Sequence, residues 1–149
     1  GANLALICDI TIAAESASFI QAFSRIGLIP DAGGTWVLPR TIGGQRAMGA
    51  ALFADKITAR QAADWGMIWE MAPDAAFEPC WRARAAHLAN GPTEAFKRIK
   101  QVMQASSRNS LEEQLLLEGQ LQGQCGHTRD FKEGVLAFVE KRPARFEGR

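Results

Sequence analysis

Asp31 stands at the mouth of a glycine-rich turn, in the run Gly27-Leu28-Ile29-Pro30-Asp31-Ala32-Gly33-Gly34-Thr35-Trp36-Val37-Leu38-Pro39-Arg40, where a single positioned acid could move a proton. Pro30 fixes its own φ and removes a donor, and Gly33-Gly34 let the backbone approach a ligand with no side chain in the way. Apolar residues on both sides (Ile26, Leu28, Ile29, Trp36, Val37, Leu38) are expected to keep water out. A desolvated Asp rises from an ordinary value of about 3.9 toward the range in which it gives and takes protons. The same spacing also fits a helix N-cap, for which Asp is a preferred residue, so spacing alone leaves both roles open.

The elements that must hold this turn can be read on either side of it. Asn3 to Cys8 reads as a short buried helix and Ile10 to Ala14 as a buried strand, with a second extended piece at Phe19 to Phe23. Thr35 to Thr41 and Gln45 to Phe53 read as helices broken by Gly43-Gly44. Thr58 with Gln61 forms a capping box for a helix ending near Gly66, and Met67 to Met71 reads as a last strand. Pro73-Asp74 marks a boundary, which predicts one region over 1–72 and an all-helical one over 73–149. In the second region Ser110 with Glu113 is another capping box. Phe96, Ile99 and Met103, and Phe131, Val135, Phe138 and Val139, recur at helical spacing as core or subunit interface.

The 149 residues are 47% hydrophobic, enough for a globular domain with a core and too apolar for disorder. A net charge of +1 from 17 basic and 16 acidic residues, well mixed, gives no electrostatic footprint for nucleic acid or an anionic membrane. Lys97, Arg98 and Lys100 read as a solvated helix face, and His87 as a surface residue. Cys8, Cys80 and Cys125 are widely spaced, which fits reduced cytosolic thiols rather than disulfides or zinc, and Cys125-Gly126-His127 offers two ligands with no third. No apolar run reaches the roughly 20 residues of a membrane span, and no signal peptide is seen; a cytoplasmic location is expected.

Cys8-Asp9-Ile10, Ala13 to Phe19 and Gly27 to Thr35 resemble the crotonase superfamily, the enoyl-CoA hydratases and isomerases. The likeness continues through Ala47-Met48-Gly49, Ile57 to Ala62 and Trp65 to Ile68 to Phe138-Val139-Glu140-Lys141-Arg142-Pro143, and so covers the chain. It implies an α/β fold: part of the crotonase spiral of ββα repeats over 1–72, followed by a C-terminal helical oligomerisation region over 73–149. Ala22 to Asp31 with Trp36 and Trp65 to Trp69 is most similar to the 2-(1,2-epoxy-1,2-dihydrophenyl)acetyl-CoA isomerases of phenylacetate degradation. Hydratases of the superfamily use two glutamates, and those positions fall here on Asn3 and Phe23, neither of which shuttles a proton. The isomerase branch places its acid after the Pro of the turn, which is Asp31.

The resemblance therefore implies an isomerase acting through a thioester enolate, with two backbone N–H groups on the thioester oxygen and Asp31 moving the proton. One of those donors would lie just before Gly1 and the other further upstream, so the chain resembles the C-terminal portion of a longer protein. Coenzyme A enters as part of the acyl-CoA substrate, no separate cofactor is implied, and a homotrimer or hexamer is the implied assembly. Phe138, Lys141 and Arg142 match positions near the CoA of an adjacent subunit, or form a solvated helix end. Phe19, Phe23 and Trp36 are candidates to line an acyl pocket suited to a ring, or are core. Two other readings stay open: a hydratase or other crotonase-class enzyme, and a non-catalytic oligomerisation module.

Overall fold

The computed structural model describes residues 1–149. In chain order the first elements are α1 (Ala2–Ile7), β1 (Ile12–Ala14), β2 (Ser18–Phe19), a 3₁₀ turn over Ala22–Ile26, α2 (Gly34–Ile42) and α3 (Gly44–Phe53). They are followed by β3 (Ile57–Thr58), α4 (Ala59–Asp64), β4 (Glu70–Ala72), α5 (Asp74–Ala89), α6 (Thr93–Ala105), α7 (Leu111–Gly126) and α8 (Arg129–Val139).

Two short ladders tie the first part of the chain together. β1 and β4 pair in parallel with Ile12 opposite Glu70 and Ala14 opposite Ala72, so everything from Glu15 to Trp69 forms the crossover between them. β2 and β3 pair antiparallel, Phe19 opposite Ile57. The core between these ladders and α2 to α4 is built from Leu6, Phe19, Leu38, Ile42, Ile57, Met67 and Ile68 around a set of alanines, of which Ala59 and Ala62 are fully enclosed. Small side chains there let α4 lie close against the strands.

Several boundaries differ from the sequence reading, each for a local reason. The extended piece expected at Phe19 to Phe23 ends at Phe19, because Gln21 turns inward and Gly27 closes the next turn in the left-handed region at φ 74°. The last strand is Glu70–Ala72 rather than Met67 to Met71. The N–H groups of Met67 and Ile68 both return to the Ala62 carbonyl, and the ladder beside β1 starts only when Trp69 N–H donates to Thr11 at 2.9 Å. The N-terminal helix buries only Asn3 and Leu6, not its whole surface.

The chain forms two compact units, Gly1–Trp81 and Arg82–Arg149, which divide inside α5 and not at 72/73. The first turns of α5 are tied to the first unit: Asp74 Oδ1 accepts from Ser16 N–H at 3.2 Å and Ser16 Oγ at 2.7 Å, and the Cys80 thiol donates to Glu70. In the second unit Gln114 Nε2 donates to the Val102 carbonyl at 3.1 Å and its Oε1 accepts from Asn109 at 2.9 Å, which fixes the turn from α6 to α7. Both expected capping boxes are present, Thr58 with Gln61 and Ser110 with Glu113.

Leu38 is 2% exposed, and its replacement by Ala is expected to cost about 2–5 kcal/mol through lost burial and a residual cavity. Ser110→Ala, which removes one cap, is expected to cost only about 1 kcal/mol. Urea titration of both variants checks the order: equal losses would mean that Leu38 is not a core side chain.

Candidate functional site

The turn that carries Asp31 is held from within. Asn3 Nδ2 donates to the Asp31 carbonyl at 2.9 Å, and Gln21 Nε2 donates to Asn3 Oδ1 at 2.7 Å. Because a backbone carbonyl only accepts, the Asn3 amide must face it with nitrogen. Its oxygen is then left for Gln21, and the orientation of both amides is set. Asn3 is buried and Gln21 is 1% exposed, so this relay runs through the interior, and it leaves Gln21 Oε1 buried with no donor in reach.

The backbone of the turn is itself unusual. Ala32 and Gly33 take positive φ in succession, 45° and 79°, and the Gly34 N–H donates back to the Asp31 carbonyl at 2.8 Å. The Asp31 carbonyl thus receives both a helix-start N–H and the Asn3 amide. A left-handed alanine costs on the order of 1 kcal/mol, and such strain persists only where the surroundings over-determine it. Gly34 is required for a different reason: a Cβ there would lie 2.5 Å from Asn3 Nδ2.

The Asp31 carboxylate is exposed and free of hydrogen bonds. It does not cap α2, whose N-cap is Gly33 with no side-chain bond, so the cap reading is corrected. The expectation of a buried acid is corrected as well. Within this chain Ile26, Leu28, Ile29 and Trp36 are all exposed, Ile29 by 78%, and exclude no water. Of the flanking residues only Leu38 is buried, with Val37 partly so.

A cavity of about 420 Å³ opens beside the turn, lined by Gly1 to Leu4, Ile20 to Phe23, Ile26, Asp31 and Ala32. It brings Asp31 and Phe23 together. It does not include Phe19, which is 7% exposed in the core on β2, or Trp36, which lies on the outer face of α2 with the Arg40 guanidinium 4.1 Å over its ring. The second unit has its own apolar groove of about 540 Å³ between α6, α7 and α8, bordered by Ile99, Leu121, Cys125, Phe131, Val135 and Phe138. Phe138 is 85% exposed, and Lys141 comes just beyond the end of α8. His127 bonds through Nδ1 to the Gly123 carbonyl at 2.7 Å.

Sequence reasoning missed Gln21 and the contact between Asn3 and Gly34. The available signal was a single amide, Gln21, set among the apolar residues Phe19, Ile20, Ala22 and Phe23.

The geometry thus puts a strained glycine turn with one exposed acid beside a cavity, on an α/β frame of short ladders. The chain belongs to the enoyl-CoA hydratase/isomerase family, whose model matches residues 1–149. It is 61% identical over 149 residues to a Rhodobacter capsulatus protein named "Probable enoyl-CoA hydratase" and 48% identical to the 1,2-epoxyphenylacetyl-CoA isomerase of Escherichia coli. Both matches cover all of this chain, and 58% and 57% of those proteins. The crystal structure of an enoyl-CoA hydratase from Bacillus anthracis superposes with a TM-score of 0.94 at 34% identity, over 100% of this chain and 58% of that one. The chain thus spans a little over half the length of the relatives it matches.

Gly34→Ala is expected to break the relay, leaving buried amide groups unpaired at a cost of about 1–3 kcal/mol. In an Asn3→Ala background the same change should cost measurably less, since the clash partner is gone. A double-mutant cycle by chemical denaturation checks this; strictly additive losses would separate Gly34 from Asn3.

Proposed function

We propose that the full-length protein is an acyl-CoA isomerase that moves a proton, and with it a double bond, through a thioester enolate. The observation that carries this reading is the lining of the Asp31 cavity, where Asp31 is the only acidic side chain. Asn3 and Phe23, at the positions where the resemblance puts the glutamates of hydratases, offer an amide bonded at both ends and a hydrocarbon ring. Neither activates water.

The chemistry rests on the chain's own residues. The Asp31 carboxylate takes a proton from C2 or C4 of the acyl group, the C–H electron pair moves into the thioester carbonyl, and the same carboxyl returns the proton at the other end of the delocalised system. Acid and base are one group, so the reaction neither consumes nor releases a net proton. Such transfer typically contributes about 10²–10⁴ in rate, and each N–H donor on the developing oxyanion roughly 3 kcal/mol. The resemblance assigns those donors to the segment upstream of Gly1. That segment, or a neighbouring subunit, would also cover Ile26, Leu28 and Ile29 and dry the site.

The finer reading is that the substrate is 2-(1,2-epoxy-1,2-dihydrophenyl)acetyl-CoA, converted to its oxepin isomer in phenylacetate catabolism. The 48% identity to the Escherichia coli isomerase and the place of Phe23 in the cavity support it. Phe138 and Lys141 are read as contacts to CoA, and Phe131 and Val135 as subunit contacts of a trimer or hexamer working in the cytoplasm. No helix is long and apolar enough to cross a membrane. The name of the Rhodobacter capsulatus relative favours a second reading, enoyl-CoA hydration, which would need a base outside this chain.

The test is deuterium exchange at C2 and C4 of a 3-enoyl-CoA in D₂O, measured by mass spectrometry on the full-length protein and its Asp31→Asn variant. Exchange is expected to fall by about 10²-fold or more in the variant. Undiminished exchange would remove Asp31 from the chemistry.

A further inference from the structure

Lys141 lies just past the C-terminus of α8 with φ 55°, in the left-handed region that glycine ordinarily fills at this position. The turn closes in the usual double-bonded way: Lys141 N–H donates to the Phe138 carbonyl at 3.3 Å and Arg142 N–H to the Ala137 carbonyl at 3.0 Å. A lysine here is a strained choice, and its exposed ammonium has no ion-pair partner. The strain is held by the C-terminal residues beyond it. Glu133, two turns back on α8, receives the Arg142 guanidinium on both oxygens, at 2.7 and 3.0 Å, and the Arg145 backbone N–H at 2.8 Å. One turn earlier Asp130, 4% exposed, accepts the N–H groups of Glu147 and Gly148 at 2.7 and 2.9 Å. The chain after Lys141 is thereby folded back along α8 and pinned to it by two carboxylates.

We propose that Glu133 is a positioning residue: by gripping Arg142 and the Arg145 N–H it holds the left-handed turn that presents the Lys141 ammonium, beside exposed Phe138, to a phosphate of the CoA thioester. This rests on the reading of Lys141 as a CoA contact. The brace stays charged at any working pH, since the Arg142 guanidinium, then the Arg145 N–H, holds the Glu133 carboxyl down to about 2 from its ordinary 4.5. Bidentate pairing is the feature that matters, because it fixes the direction of the chain as well as the charge. Lysine recognises phosphate as a point charge, so its contribution depends on where the backbone puts it.

The experiment compares KM and kcat on a CoA thioester and on the matching pantetheine thioester, which has the same acyl group and no phosphate. The full-length protein is used as wild type, Lys141→Ala, Glu133→Gln and the double variant. Lys141→Ala is expected to raise KM for the CoA thioester about tenfold and Glu133→Gln about three- to tenfold. For both variants the KM ratio of the CoA to the pantetheine thioester should rise, with no further rise in the double variant. Should Glu133→Gln fail to fold, Arg142→Lys keeps the charge and loses the fork, and the same phosphate-dependent rise in KM is expected. A rise for Lys141→Ala with none for Glu133→Gln or Arg142→Lys would overturn the positioning role while sparing the CoA contact. No effect of Lys141→Ala would overturn both. A Glu133→Gln effect equal on the two thioesters would reduce Glu133 to a structural residue.

Discussion

The constraint on which the site depends is a hydrogen bond to the main chain: the Asn3 amide donating to the Asp31 carbonyl. It joins the first turn of α1 to the loop before α2, 28 residues away, and it dictates the rest of the locality. Asn3 Oδ1 must be satisfied, so Gln21 is drawn inward, and with Gln21 inside, β2 ends and a 3₁₀ turn begins. The amide must also be approached closely, so position 34 has no room for a side chain. A backbone carbonyl that receives two donors tolerates the two positive φ angles next to it, because unwinding them would unpair both.

This arrangement leaves few polar groups at the turn free to take part in chemistry. In a cavity with Asn3, Gln21, Phe23 and Asp31, the two amide nitrogens are occupied with each other and with the backbone, Gln21 Oε1 is left without a donor, and the only uncommitted group that can take up a proton is the Asp31 carboxylate. A group that can lose and regain a proton is present once. That favours a shuttle over a reaction that needs an acid and a base together. The second unit repeats the strategy at its own end. There a strained left-handed Lys141 is retained because Glu133 and Asp130 bind the chain behind it, so both turns are shaped from outside and not by their own residues' preferences.

The local elements with strong signals were legible. Thr58 and Gln61, and Ser110 and Glu113, form the capping boxes that their spacing predicts, and Gly43-Gly44 breaks α2 from α3 as expected. The site was legible only in its main-chain chemistry. Asp31 sits on the strained turn before α2, and its side chain neither caps nor is buried in this chain, since the N-cap of α2 is Gly33 and the flanking apolar residues face outward. Phe19 and Phe23 look equivalent in sequence, and register separates them: one is paired in β2 against Ile57 and the other lies past the turn at the cavity. Gln21, Asp130 and Glu133 bind groups far from them along the chain, and no spacing rule reports a contact of that kind.

On the proposed function, a cavity with one proton-accepting side chain isomerises and does not hydrate. The most direct measurement gives the full-length protein a 2-enoyl-CoA long enough to shift its double bond, in H₂¹⁸O, and counts by mass spectrometry the shifted isomer against the ¹⁸O-labelled hydroxyacyl product. Positional isomer is expected in large excess, with label near the uncatalysed background. Rapid appearance of the labelled hydroxyacyl-CoA would show that water is activated at this site and would contradict the proposed function.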